Sequence, residues 1–347
     1  MHAGPLLPEC NAFIKGGRSR YAPAAFPISH SKEVAHMTGT KFTTRRWYLS
    51  ARSRRKGLIA LAFLLPGIIY YIMFRYAPMR GNLIAFQDFN PYKGFGGSKW
   101  VGLKHFQIFF ESTNCSRLII NTLALSIYSI IFSFPVPILF AILLNEVRFK
   151  RFRSVVQSIS YFPHFISVVI ICGLLKKYLA VSDGLVDEII AALGAERINF
   201  LQEPGWFRTI YIASGIWQGM GWSSIIYYAT LTSVDTSLYE AAEIDGANRF
   251  RKMLNISIPA LVPTIVTLLL MQLGNVMNVG FEKVLLIQNP STYSTSDILF
   301  TYVYRMGIGQ AKYSFASAVG LFNNLVGLVV LLFFNAVAKK FSDTSLW

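Results

Sequence analysis

The residue types that could do chemistry fall in two places. The first is a polar segment between two long apolar runs, Glu240-Ala241-Ala242-Glu243-Ile244-Asp245-Gly246, followed by Ile256 and Pro259. Its chemistry is that of contact. Glu240 and Asp245 offer carboxylates, and Ala241 and Ala242 leave a smooth face that another backbone can approach closely. The segment reads as two short helices broken at Gly246, which can take the left-handed conformation a sharp turn needs. Ser237 or Thr236 can cap the first helix, with Glu240 placed for a capping box with Ser237. Leu238, Ala241, Ala242 and Asp245 share a face by helical spacing. The second helix runs over about 248–256. Pro259 suits the start of the next apolar run, where its missing N–H costs nothing. Periodicity alone leaves open an amphipathic loop lying on a lipid surface.

The second place is a set of polar and aromatic residues inside apolar runs: Trp217, Gln218, Tyr227 and Tyr228, then Gln272, Asn275 and Asn278, then Asn323 and Asn324. Polar groups at bilayer depth are costly and turn inward. They could hydrogen-bond and stack against a sugar along a path, or they could join helices with no ligand at all. His164, beside Pro163, reads as a packed histidine rather than a metal ligand. Cys10, Cys115 and Cys172 are far apart and odd in number, so no metal site is expected. No nucleophile, base and orienter come together for catalysis. No Gly-x-x-x-x-Gly-Lys-Ser/Thr pattern occurs, so the chain does not cradle a nucleotide itself.

The elements that must position these residues are helices in a membrane. Of 347 residues, 53% are apolar and only 14% charged, against about 25% charged in soluble domains; mean hydropathy is +0.44. Six apolar runs, 57–77, 118–144, 155–175, 206–231, 260–279 (extendable to 286) and 315–337, are each long enough to cross a bilayer as a helix. Pro135 and Pro137 should kink the second. A net charge of +16 raises nucleic acid as a partner. The basic residues instead cluster at the ends of apolar runs, as membrane topology requires, and no nucleic acid is expected.

Those clusters set the orientation. Lys41, Arg45, Arg46, Arg52, Arg54, Arg55 and Lys56 precede the first run. Arg148, Lys150, Arg151 and Arg153 join the second and third, Arg249, Arg251 and Lys252 precede the fifth, and Lys339 and Lys340 follow the last. All four places lie on one side if there are six spans, so both termini and the 236–259 loop are expected in the cytoplasm. Residues 1–56 read as a largely disordered extension without a signal-peptide core, with Met37 as a candidate natural start. Residues 57–340 form the membrane domain and 341–347 a cytoplasmic tail. Outside, 185–193 should form a short interfacial helix, and Asn289-Pro290-Ser291-Thr292 a turn.

The order Glu-Ala-Ala, three residues, Gly, nine residues, Ile, one residue, an apolar residue and Pro closely resembles the coupling-loop (EAA) signature of ABC-importer permeases; Ile258 stands where that family usually has Leu. Ile244-Asp245-Gly246-Ala247-Asn248, Tyr161-Phe162-Pro163-His164-Phe165-Ile166-Ser167 and Tyr302-Val303-Tyr304-Arg305 are similar to its carbohydrate (MalF/LplB-like, binding-protein-dependent) branch. The resemblance covers about residues 55–340 and not the first 40. It implies an all-α integral membrane protein with the type I ABC-importer permease fold, six transmembrane helices and cytoplasmic coupling helices. It also implies a multi-pass protein of the bacterial inner membrane that is not an enzyme and binds no cofactor. ATP and Mg would sit on a separate ABC ATPase dimer, contacted through Glu240, Ala241, Ala242, Asp245, Gly246, Ile256 and Pro259. A second homologous permease would complete the pathway. An extracytoplasmic solute-binding protein would deliver a complex or acidic oligosaccharide. An ion-gradient-driven secondary transporter or channel is the alternative, but it should carry charges deep in its spans. An integral membrane enzyme should carry clustered His, Asp or Glu. The runs are nearly free of such charges, and no such cluster stands in the sequence.

Overall fold

The computed structural model describes residues 51–181 and 183–341, without the side chains of 51–56 and 341. The expected extension up to residue 50, Met37, Cys10 and the tail from 342 lie outside the described residues. Helix α1 (Ala51–Tyr71) begins six residues before the expected boundary at 57, so the last stretch of the supposed extension is helical. The chain divides into two compact units, the first ending at Pro66 and the second starting at Gly67.

Among the described residues, four helical stretches are long and apolar enough to cross a membrane: Gly57–Phe86, Cys115–Glu146, Arg249–Gly274 and Tyr313–Lys340. The first continues from α1 through a π turn, Ile72–Tyr76, and a 3-10 stretch, Ala77–Phe86. Its apolar side chains stay exposed, Phe63 at 83% and Phe74 at 62%. So much uncovered apolar surface on one helix suits lipid and not water. After it, Gln87–Asp88 pairs antiparallel with Lys99–Trp100, the one two-stranded ladder among the described residues. Helix α2 (Lys104–Glu111) follows.

The second stretch joins α3 (Cys115–Tyr128) to α4 (Pro135–Glu146) through a π turn at Ser129–Ser133. Pro135 has no N–H to give the preceding turn, and the ladder there slips to the wider spacing in which the Phe134 N–H donates to the Ser129 carbonyl.

The third apolar run differs most from expectation. It is two helices, α5 (Lys150–Tyr161) and α6 (Val168–Tyr178), joined by a 3-10 turn at Phe162–Phe165 and bent by 95°. Pro163 weakens the ladder, and Ile166 and Ser167 are extended, which ends one helix and caps the next. The Gln218 amide donates to the freed Ile166 carbonyl at 3.2 Å. After α7 (Leu185–Ala192), the fourth run is α8 (Pro204–Thr232), a 29-residue helix. At about 43 Å it is long enough to span, but Gln218, Ser223, Ser224 and its aromatics make it less apolar than the other four. It packs along α4 and α5. A Cβ on Gly221 would collide with the Ser160 carbonyl, so glycine is what allows α5 and α8 to meet there.

The helices of the 236–259 loop are α9 (Thr236–Ile244) and α10 (Arg249–Lys252). The second does not stop before Pro259 as expected. A π turn at Met253–Ser257 carries it into α11 (Ile258–Gly274), which packs on α8. The fifth run also ends earlier than 279 or 286. Asn275 is the C-cap, a tight turn follows, and α12 (Phe281–Ile287) is a separate helix packed on α6, between the span ending at Gly274 and the one starting at Tyr313. The expected turn at Asn289 forms as a capped 3-10 turn, Pro290–Thr292. Helices α13 (Leu299–Tyr304) and α14 (Tyr313–Phe341) complete the chain, α14 packing on α11 and α13. Tight cores tie these elements together, one around Phe109, Leu118, Met277 and Val319, another around Leu125, Phe207, Val284 and Ile298. Within lipid such contacts hold through close packing rather than escape from water.

Candidate functional site

Asp235, not Ser237 or Thr236, caps α9; its carboxylate accepts from the Ser237 N–H at 3.0 Å. That backbone bond, with help from the Ser237 hydroxyl, holds the Asp235 carboxyl below the usual carboxylate range. Asp235 is extended and one residue nearer the break, so it takes the position first. The expected capping box with Glu240 is absent. At the other end Gly246 has φ +74°. The Gly246 and Ala247 N–H groups donate back to the Glu243 and Ala242 carbonyls at 3.1 and 2.8 Å, a Schellman ending. Asn248 then caps α10, accepting from the Arg251 N–H at 2.8 Å.

Two ties make the pair of helices one object with the span behind it. The Tyr239 hydroxyl lies 3.0 Å from that of Ser257, and Lys252 pairs with Glu243 at 3.2 Å. Ser257 is buried and Ile256 half-buried at this joint, whereas Glu240, Ala241, Asp245, Gly246 and Pro259 are exposed and Ala242 half-exposed. Exposed with them are Ile244 at 88% and Phe250 at 62%. Leu238 is exposed as well, at 53%, so these helices present apolar side chains beside their carboxylates. Phe250 was not singled out from sequence; its only signal was a lone aromatic in a basic stretch.

The polar and aromatic candidates separate. Tyr227 and Gln272 line a cavity of about 540 Å³ with Ser133, Phe134, Trp222 and Leu268. Gln218 lines an adjoining cavity of about 460 Å³ with Ser129, Tyr211, Glu282 and Lys283; Ser133 and Gly215 belong to both. The other candidates are not at these cavities. Trp217 lines a separate apolar cavity with Ile171 and Trp206. Tyr228 packs against the cluster of Ala141, Leu231 and Leu261, with the Arg153 guanidinium 5.7 Å over its ring. Asn275 bonds back to the Met271 carbonyl, and Asn323 donates to Asn278 at 3.3 Å. Asn324 lines a cavity beside Gly81 and Asn82. Asn275 and Asn278 sit in the turn beyond α11, because that helix stops early. His164 is exposed and stacks on Trp222, centroids 4.6 Å apart and planes within 1°.

Two features escaped the sequence. Lys283 is 7% exposed, its Nζ donating to the Tyr211 carbonyl at 3.1 Å and lying 5.2 Å from the Tyr211 ring. Burial brings its pKa down to about 8. The second is Asp297, fully buried, which accepts from Arg305 at 2.6 Å and from the Thr301 hydroxyl at 3.1 Å, with Arg117 at 3.8 Å. Asn121 donates to the backbone carbonyls of Asp297 and Ser294 and accepts from Arg208, so α3, α8 and the 294–305 stretch meet at one polar knot. Its sequence signal was present: Asp297 is the only acidic residue between Lys283 and Phe341.

The family described as binding-protein-dependent transport system inner membrane component matches residues 118–343. The chain is 46% identical to the polygalacturonan/rhamnogalacturonan transport system permease protein YteP of Bacillus subtilis (strain 168), over 82% of this chain and 88% of that protein. It is 42% identical to the protein LplB of the same organism, over 86% and 94%. Among solved structures it is similar to a chain of a bacterial alginate ABC transporter in complex with its alginate pentasaccharide-bound periplasmic protein. That likeness has a TM-score of 0.78 and 42% identity, over 85% of this chain and 99% of that one.

Proposed function

Since the chain belongs to the family of binding-protein-dependent transport system inner membrane components, and is the permease of an ABC importer of oligosaccharides rather than its ATPase, we propose how it couples and what it carries. The exposed face of α9, with Glu240, Ala241, Ile244 and Asp245, docks in a cleft of a separate ATPase dimer that holds ATP and Mg. Closure of that dimer pushes α9. The push passes through the Tyr239 contact with Ser257 and the Lys252 pair with Glu243 into α11, and so to the cavities beside α8. A rigid joint is needed because a flexible one would absorb the motion. The observation that carries this is the bare apolar and acidic face held on an element locked at both ends.

Six helices cross the inner membrane, with both termini and the coupling segment in the cytoplasm. A second, homologous permease completes the path, and an extracytoplasmic binding protein hands the substrate over. That substrate is an acidic oligosaccharide, a reading supported by relatives named for polygalacturonan and for the acidic polysaccharide alginate. The test is a reconstituted complex in which substrate-loaded binding protein stimulates ATP hydrolysis and uptake. Removing half of a desolvated charge pair costs about 2–5 kcal/mol, so Glu240→Lys should cut uptake at least about tenfold while hydrolysis persists. Gly246→Asp should do the same. Normal uptake with both overturns the coupling role.

A further inference from the structure

One face of α8 is hollowed where it meets the two adjoining cavities. Gly215 and Gly219 stand on it one turn apart; a Cβ on Gly215 would come within 3.6 Å of Lys283 Nζ, and Gly219 faces open space. At one end of this hollow sits the Lys283 ammonium, and at the other the Trp222 indole with Tyr227. Between them the Ser129 and Ser133 hydroxyls and the Gln218 and Gln272 amides line the walls. Both volumes fall in the range of small-ligand sites.

Lys283 is the odd member. A buried ammonium has three N–H donors and needs acceptors for its charge. Here one donor meets the Tyr211 carbonyl. Among the described residues no carboxylate lies within 4 Å of it. Glu282 lines the same cavity but is exposed and makes no pair with it. A helix contact alone would be met by a neutral side chain. A cation kept in a cavity with hydroxyls, amides and an indole face fits a ligand that brings its own carboxylate along with ring hydroxyls and an apolar ring face.

We propose that the two cavities form a sugar-acid subsite in which Lys283 binds the carboxylate of a uronate residue and thereby sets preference for acidic over neutral oligosaccharide. This deepens, and rests on, the acidic-substrate reading. The Trp222 face opposite His164 stacks the pyranose ring, and Gln272 and the Gln218 amide oxygen bond its hydroxyls. Lys283 acts in selection among substrates, so its loss is read as a change in preference between two probes.

The experiment uses the full complex in proteoliposomes with its binding protein, and two probes: trigalacturonate and its methyl ester, which lacks the charge and carries a methyl group on each carboxyl. Each variant is compared with wild type on the same probe, so the binding protein's own preference cancels. Lys283→Gln should lower trigalacturonate uptake at least about tenfold and ester uptake by less than about twofold, with Lys283→Arg restoring the acid. Wild type gives a second route. Raising the pH from about 7 to about 9 discharges Lys283 and should depress uptake of the acid relative to the ester. The other titratable groups beside Lys283 are Tyr211 on α8, Cys172 on α6 and Glu282 on its own helix. Equal loss of both probes in Lys283→Gln, or full retention of the acid, overturns the role of Lys283. A wild-type complex that carries the ester and not the acid overturns the substrate reading, and the subsite with it.

Discussion

Gly246 holds a φ of +74° with no atom within 4 Å of where a Cβ would stand. Substitution there is therefore a backbone matter and not a collision. An alanine in the left-handed region loses about 1–2 kcal/mol, enough to fray the Schellman ending that aims α9. Gly246→Ala should lower the ratio of uptake to ATP hydrolysis several-fold, and Gly246→Asn, which tolerates that conformation, should keep most of it. Equal ratios for glycine, alanine and asparagine would show that the turn does not aim the helix. Gly246 was legible in the sequence because glycine adopts the left-handed conformation of such a break at least cost. The cap was not, because Asp235, Thr236 and Ser237 all carry a suitable oxygen, and the backbone at Asp235 decides between them. Lys283 was hidden for another reason: its burial is made by Tyr211, 72 residues away, and not by any local pattern.

The helices themselves were legible as apolar runs, but their breaks were not. Pro135 announces a distortion, and the π turn before it supplies one. Pro163 announces much the same thing and yields a 95° bend instead. The difference is tertiary, since Gln218 meets the carbonyl that the break at Ile166 frees. The knot around Asp297 joins elements in the same way. Replacing one partner of a buried ion pair leaves the other uncompensated, at about 3–5 kcal/mol. Asp297→Asn should fall near the lower end of that range, because the Arg305 side chain keeps 29% of its surface exposed. Glu243→Gln should cost at most about 1 kcal/mol, as Glu243 is 74% exposed in its pair with Lys252. Thermal unfolding of the purified complex measures both. An Asp297→Asn transition as high as that of Glu243→Gln would remove the knot as a source of stability.

At the scale of the molecule, orientation turns on the bent pair and α8 together. Of the elements between the basic clusters at Arg148, Lys150, Arg151 and Arg153 and at Arg249, Arg251 and Lys252, only those two are long enough to cross, since α7 and α9 have eight and nine residues. If both cross, or neither does, the clusters share a side; if only one crosses, they face opposite sides, against the charge rule. Composition favours the bent pair and not α8. The six spans proposed need α8 to cross as well, and its length and its packing along α4, α5 and α11 are compatible with that. Single cysteines in a background lacking Cys10, Cys115 and Cys172 separate the cases. With both crossing, Glu196→Cys reacts with an impermeant maleimide in intact cells, while Glu243→Cys and Lys340→Cys react only after permeabilisation. With neither crossing, Glu196→Cys is shielded as well. Labelling of Glu243→Cys from outside would put the coupling face beyond the reach of any cytoplasmic ATPase, and the transport mechanism proposed for this chain would fall with it.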